Sequence, residues 1–299
     1  MIEVQGRGGI AVKVIEDSVN DDGWRLTTLQ LRYPRFIHAE FLTHRVFSRN
    51  ASSSRAIPVA KMIEQVRNDP ALPIHWGRNQ AGMQAYSELD DQDRVRAHAV
   101  WRSASLAAAH FAEQLSDIGA HKQICNRLLE PFQFMNVVVT ATEWRNFFAL
   151  RRHHTAEPTI QELANRMYEA MKQSTPKLLA DGEWHLPYIT RDERNDSHFQ
   201  SRMTMLARVS VARCARVSYN KHDGTRPGIR EDLALCDRLI NTDLDPMHAS
   251  PAEHQATPDC GHENWYLHGN LVGWQQFRKL IEAGRIPRSA NPNELDDNP

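Results

Sequence analysis

This chain lacks most of the marks of a secreted, membrane-spanning or nucleic-acid-coating protein. It has four cysteines in 299 residues, Cys125, Cys214, Cys236 and Cys260, widely spaced and with no CxxC pair. That excludes a disulfide scaffold and points to free thiols in a reducing compartment. No run approaches 18 apolar residues, so no membrane span is expected. The start, MIEVQGRGGIAVKVIEDS, has no apolar core of a signal peptide. Thirty-six basic residues face 37 acidic ones, a net charge of −1, so no global field favours an extended nucleic-acid groove. A local basic pocket stays allowed. No repeat at solenoid spacing appears. The expectation is a cytoplasmic, soluble protein with one large core or two modest ones.

What is present is a mixture of elements. Ile10–Ile15 and Arg25–Leu31 flank the turn signal Asp21-Asp22-Gly23 and read as a β-hairpin. Phe36–Phe47 is apolar at helix-like spacing, and residues 58–70 read as a short helix. Residues 90–120 carry apolar side chains at helical period, a long amphipathic helix. A short helix over Lys122–Glu130 is stopped by Pro131. Phe134–Thr140 fits a strand or the start of a helix. Thr142–Leu150 reads as a helix, and so does Thr159–Leu179, with Pro158 near its start and Gly182 past its end. Val209–Tyr219 alternates like a strand, possibly after a helix. Arg230–Asn241 and Asn270–Ala283 read as helices, the latter stopped by Gly284. The fold class is α+β, mostly helical, as one catalytic domain over 1–287 with possible halves 1–190 and 200–287. The polar residues 288–299 form a disordered tail.

Four clusters could carry chemistry. Residues 44–55 hold three arginines, four serines, one histidine and one asparagine. Such a stretch is too polar for a core element and too rich in serine and asparagine for a helix, so it reads as a donor-rich loop. Ser53 and Arg55 are two apart and share a side if the segment is extended. With Arg45 they suit one phosphate, and the plain alternative is a solvated loop. His248–His254 (HASPAEH) reads as a helix start, with Ser250 as N-cap, Pro251 at the first position and Glu253 completing a capping box. A helix start is also an anion site. Asn146–Arg151 (NFFALR) is a core helix with a basic end, or part of a site. Arg127, ahead of Leu128-Leu129-Glu130-Pro131, is a phosphate ligand or a surface cation.

Together these segments resemble the flavin-dependent thymidylate synthases. His44, Arg45, Ser48, Asn50, Ser53 and Arg55 fall on the steps of that family's arginine-serine loop. His248, Ser250, Pro251, Glu253 and His254 match its His-x-Ser/Thr-Pro-x-Glu-His segment. Asn146, Phe147, Leu150, Arg151 and Ala156 match a third signature, and Arg127–Pro131 a fourth. The resemblance implies a mixed sheet with long helices, a thymidylate synthase-complementing fold, in a homotetramer with sites between subunits. It implies C5 methylation of dUMP to dTMP, with FAD as cofactor and NADPH and methylene-tetrahydrofolate as co-substrates. By the same resemblance Ser53, Arg55 and Arg127 hold the nucleotide, and Arg151 faces the uracil edge, with Arg151 and Ser53 as the catalytic pair. His44, Arg45, Asn50, Asn146, His248, Ser250 and Glu253 contact FAD.

The chain departs from the family pattern at named positions. Thr43 and Ala51 stand where the family has arginine and glutamate, Ala56 replaces a tyrosine, and Glu157 a glutamine. The His-x-Ser-Pro segment follows the arginine loop by about two hundred residues instead of preceding it, an order like that of a circular permutant. Other one-carbon products on dUMP or dCMP use a related pocket. Two rival readings are a nucleotide binder that lost flavin chemistry and a metal hydrolase built on His254, Cys260 and His262.

Overall fold

The computed structural model describes residues 2–196, 203–218, 227–240 and 247–289. Its centre is a sheet in the order β1-β2-β3-β5-β4, from Glu3–Gln5 (β1), Ala11–Val19 (β2), Arg25–Pro34 (β3), Ser48–Ala51 (β4) and Phe134–Ala141 (β5). These neighbours all pair antiparallel, and Lys177–Leu178 (β6) adds a short parallel edge to β2. The expected hairpin is β2–β3. Its turn ends on Gly23 at φ +81°, a backbone state that costs a side-chain-bearing residue strain.

Strand periodicity gives the sheet two chemically different faces. Leu29 and Leu31 on β3 sit opposite Val139 and Val137 on β5. They pack in one fully buried cluster with Ile160, Leu163 and Met167 from the helix Pro158–Gln173. Each such side chain contributes about 1.5–3 kcal/mol by leaving water. The opposite face presents Ser18, Thr28 and Thr140, all buried, to the C-terminal half of the chain. A second cluster, running from Trp184 to Ile286, forms the core of that half.

In chain order the helices are His38–Leu42 (α1), Val59–Asn68 (α2), Asp91–Asp117 (α3), Lys122–Cys125 (α4), Arg145–Arg151 (α5), Pro158–Gln173 (α6), Arg191–Asn195 (α7), Met203–Ala215 (α8), Ile229–Ile240 (α9) and Phe277–Glu282 (α10). Asp90 caps α3 by accepting from the Asp93 amide, and Pro158 opens α6 as expected.

Several expectations need correction. Residues 209–215 lie in α8 rather than in a strand, and Tyr219 is outside the described residues. Every residue from Met205 to Ala215 is buried, so the helix shows no polar face and its period is hidden in the sequence. Helix α6 stops at Gln173, because Lys177–Leu178 is drawn into the sheet beside β2. The segment around Pro131 does not stop: α4 gives way to a 3₁₀ turn, Asn126–Phe132, which contains the proline. Only Phe277–Glu282 of the final amphipathic segment is helical. Trp274–Gln276 (β8) before it pairs with Ala256–Pro258 (β7). Asn241 and the tail from residue 290 lie outside the described residues.

Candidate active site

The polar stretch 44–55 is not simply a loop. Ser48–Ala51 forms β4, paired with Val137–Thr140, and Ser48 and Ser52 are buried. The ladder to β5 satisfies backbone groups that composition alone would leave to water. A turn stands at each end of this strand. His44 and Arg45 sit in the first, and Ser53–Ala56 form the second, closed by Ala56 N–H donating to the Ser53 carbonyl at 3.0 Å. Ser53 and Arg55 are therefore not in an extended segment. About 13 Å of strand separates the Arg45 and Arg55 turns, so within one chain they do not wrap a single phosphate.

At the first turn, aromatic packing sets up a charged cluster. Phe41, Phe47, Trp144 and Phe147 interlock, with Phe41 and Phe147 edge to face at 5.8 Å and Phe47 and Trp144 at 4.7 Å. The His44 ring stands edge-on to Phe147 at 4.9 Å, and its Nε2 accepts a hydrogen bond from Arg151 Nε at 2.9 Å. Arg151 also donates to Glu40 Oε2 at 3.0 Å and Thr43 Oγ1 at 3.2 Å. Burial, reinforced by Arg151 and Arg49, lowers the His44 pKa and keeps the ring a neutral acceptor. Burial also raises Glu40, with repulsion from Glu157 adding to it and Arg151 opposing. Thr43 serves Arg151 as an uncharged acceptor.

The second turn meets the 3₁₀ segment after α4. Asn126 is wholly buried, and its Nδ2 donates to the carbonyls of Ser54 at 2.7 Å and Ile57 at 3.0 Å. Lys122 Nζ reaches the Ala56 carbonyl at 3.4 Å. Next to Asn126, Arg127 projects into solvent, 3.8 Å from Glu130. Asn126 thus ties the turn that carries Ser53 and Arg55 to the segment that carries Arg127, although more than seventy residues separate them in sequence.

The segment 248–254 reaches β4 within the same chain. Ser250 Oγ donates to Asn50 Oδ1 at 3.3 Å, and Asn50 Nδ2 donates to the Cys214 carbonyl at 2.8 Å. Glu253 pairs with Arg278, and Gln276 Nε2 donates to the Glu253 carbonyl at 3.2 Å. The expected capping box is absent. Ser250–Glu253 is a 3₁₀ turn after Ala249 with no side-chain cap, because Ser250 and Glu253 are engaged by Asn50 and Arg278. His248 is exposed, as are Asn146 on α5 and Arg45.

Sequence reasoning missed Glu40, Arg49, Asn126 and Arg278. Arg49 lies half-buried in β4 and donates to the Phe41 carbonyl at 3.3 Å. Burial lowers its pKa while Tyr33 and Glu253 pull it up. Asn126 was adjacent to a singled-out arginine; Glu40 and Arg278 carried no local signal. As to the metal alternative, the described residues contain no group of three or more His, Cys, Asp or Glu placed to hold an ion.

The family model for thymidylate synthase complementing proteins matches residues 26–177. The chain belongs to that family. The matched span holds both turns, the Arg151 cluster and Arg127, but not residues 248–254. Solved structures with a similar course include a UMP/dUMP methylase, PolB from Streptomyces cacaoi, bound with 5-Br UMP. That likeness has 18% identity over 56% of this chain and 90% of the other, at a TM-score of 0.45. The same protein bound with 5-Br dUMP is 17% identical over 57% and 93%, at 0.46. No curated protein matches.

Proposed function

We propose that this chain is a flavin-dependent one-carbon transferase that methylates dUMP at C5 to give dTMP, with methylene-tetrahydrofolate and NADPH as co-substrates. The observation that carries the reading is the Arg151 cluster, a guanidinium held by Glu40, Thr43 and neutral His44 inside the family-matched span.

The donor set suits FAD. Arg45 is an exposed cation between the exposed apolar side chains of Leu42 and Val46, and Asn146 and Leu150 are exposed on α5. A dinucleotide with a pyrophosphate and a flat apolar ring needs such a mixture. Asn50, Ser250 and Glu253 line the neighbouring end of β4, with His248 beside them, and His44 backs Arg151. FAD held by these residues would supply the hydride and one-carbon carrier chemistry.

The chain's own residues do the rest. Arg55 and Arg127 bind the nucleotide phosphate, and Ser53 shapes the turn that presents Arg55, its Oγ accepting from the Arg55 amide at 3.3 Å. Arg151 points its charge at the uracil carbonyl edge, where negative charge grows as C5 becomes nucleophilic. Its three partners fix its rotamer, so little ordering is left for the reaction itself. No cysteine nucleophile is required. Burial lifts the Cys214 thiol out of the reactive range and Cys236 to about 12.

Residues 1–287 act as one catalytic unit in the cytoplasm, and the exposed apolar rim around Arg45 supports shared sites in a homotetramer. The purified protein is expected to be yellow, to bleach with NADPH and to release dTMP from dUMP. A protein that neither carries FAD nor binds it on reconstitution would overturn the reading. Product analysis with dUMP and dCMP distinguishes methylation from hydroxymethylation and identifies the base.

A further inference from the structure

A file of buried polar side chains crosses the back face of the sheet. Ser18 Oγ meets His185 Nδ1 at 2.9 Å, and His185 Nε2 meets Thr28 Oγ1 at 2.8 Å. Thr28 Oγ1 meets Thr140 Oγ1 at 2.7 Å, and Thr140 Oγ1 meets His254 Nδ1 at 2.8 Å. All five residues are 0% exposed. The sheet register makes the file possible, because Thr28 and Thr140 are direct cross-strand partners. His185 and Ala256 exchange backbone hydrogen bonds, which ties the second histidine's segment alongside the first.

Proton counting constrains this file strongly. Each threonine hydroxyl has one hydrogen and, among the described residues, no hydrogen-bond partner outside the file, so it donates to one file neighbour and accepts from the other. A neutral imidazole likewise donates from one nitrogen and accepts at the other. Burial keeps both rings neutral: His254 is lowered to about 3 and His185 falls well below its ordinary value. All four bonds must then run in one direction. If Ser18 donates, both histidines carry their proton on Nε2. If Ser18 accepts, both carry it on Nδ1. His254 Nε2 has no hydrogen-bond partner among the described residues. It lies on the segment whose Ser250 bonds Asn50 at the candidate site.

We propose that His185, acting through Thr28 and Thr140, is a positioning residue that sets which nitrogen of His254 is protonated. The file thereby decides whether His254 Nε2, buried on the segment that Ser250 ties to Asn50, is a donor or an acceptor for an uncharged polar group that reaches it. The first part stands on geometry alone; the second rests on the assignment of the site made above.

Selective ¹⁵N-histidine labelling of the full chain and NMR read both tautomers directly. In the wild type the two rings are expected to share one tautomer. Ser18→Ala removes the hydroxyl at His185 Nδ1 and leaves the remaining bonds of the file in place, so the two rings are expected still to share one tautomer. Adding Thr28→Val cuts the file, and His254 is expected to stop following His185. Opposite tautomers in the wild type or in Ser18→Ala overturn the proposal. If Thr28→Val does not fold, the wild type and Ser18→Ala decide the matter. Adding FAD and dUMP is expected to shift the His254 Nε2 resonance. FAD binding seen optically without that shift overturns the second part while leaving the proposed activity standing.

Discussion

Arg151 shows how a surface-type residue becomes a fixed electrostatic tool. Three acceptors hold its guanidinium, and one of them, His44, is itself braced by Phe147. Arg151→Ala should lower kcat by about a hundredfold, the usual cost of one preorganised donor, while FAD absorbance is retained. Steady-state kinetics beside a flavin spectrum check both halves. Arg55 is exposed; if it holds the nucleotide phosphate as proposed, Arg55→Ala should raise the dUMP dissociation constant by the equivalent of about 1.5–3 kcal/mol, measured by calorimetry. An unchanged constant would remove Arg55 from the phosphate site.

Turns and strands bring such residues together. Asn126 is wholly buried, yet it clamps both ends of the Ser54–Ile57 turn that carries Arg55. Asn126→Ala should cost about 1–3 kcal/mol of stability for the unsatisfied buried carbonyls and should weaken dUMP binding without altering FAD affinity. Denaturant titration and ligand titration separate the two effects. The N-cap of α3 is a simpler element: Asp90→Ala should lower stability by about 1 kcal/mol and leave turnover unchanged. The hairpin, α2 and α9 were legible because their side chains alternate or recur at a clear period. Helix α3 is a helix as expected, but its Val95, Val100, Leu106 and Phe111 are exposed, and it buries Ser105, Ala109 and Ala112 instead. Strand β4 and helix α8 were not legible. One is a polar strand satisfied by its neighbour, and the other is buried on every side, with its arginines paired inside the fold.

For the molecule as a whole, buried neutral histidines predict acid sensitivity. His254 is lowered to about 3 and His38 to about 4, both first by burial, and His44 and His185 move the same way. Unfolded histidines bind protons from their ordinary value of 6.5 downward, so the unfolded state takes up more protons in acid. Stability is full above pH 6.5 and falls progressively as pH drops toward 4 and 3. Glu16 acts oppositely: burial raises it to about 7, so it favours folding below its ordinary 4.5 and loses that contribution as pH rises through 7. Glu40, raised by burial, acts the same way as Glu16. The four histidines outweigh these two glutamates, and the melting temperature should drop between pH 7 and pH 4. A flat profile over that range would show that the histidines are solvated rather than buried.

The sequence by itself determined the elements whose pattern is local: the hairpin, the long capped helix, the arginine-serine steps and the even charge balance. Each depends on neighbours within about one turn or one strand, so spacing suffices to read it. Only the tertiary structure decided which clusters meet. Residues 248–254 lie two hundred positions from Asn50, and Glu40, Asn126 and Arg278 become informative only through long-range contacts. The physical reason is that convergence depends on sheet register and on which face each strand turns inward. A one-residue slip would send Thr28 and Thr140 to the opposite face and dissolve their link to His254.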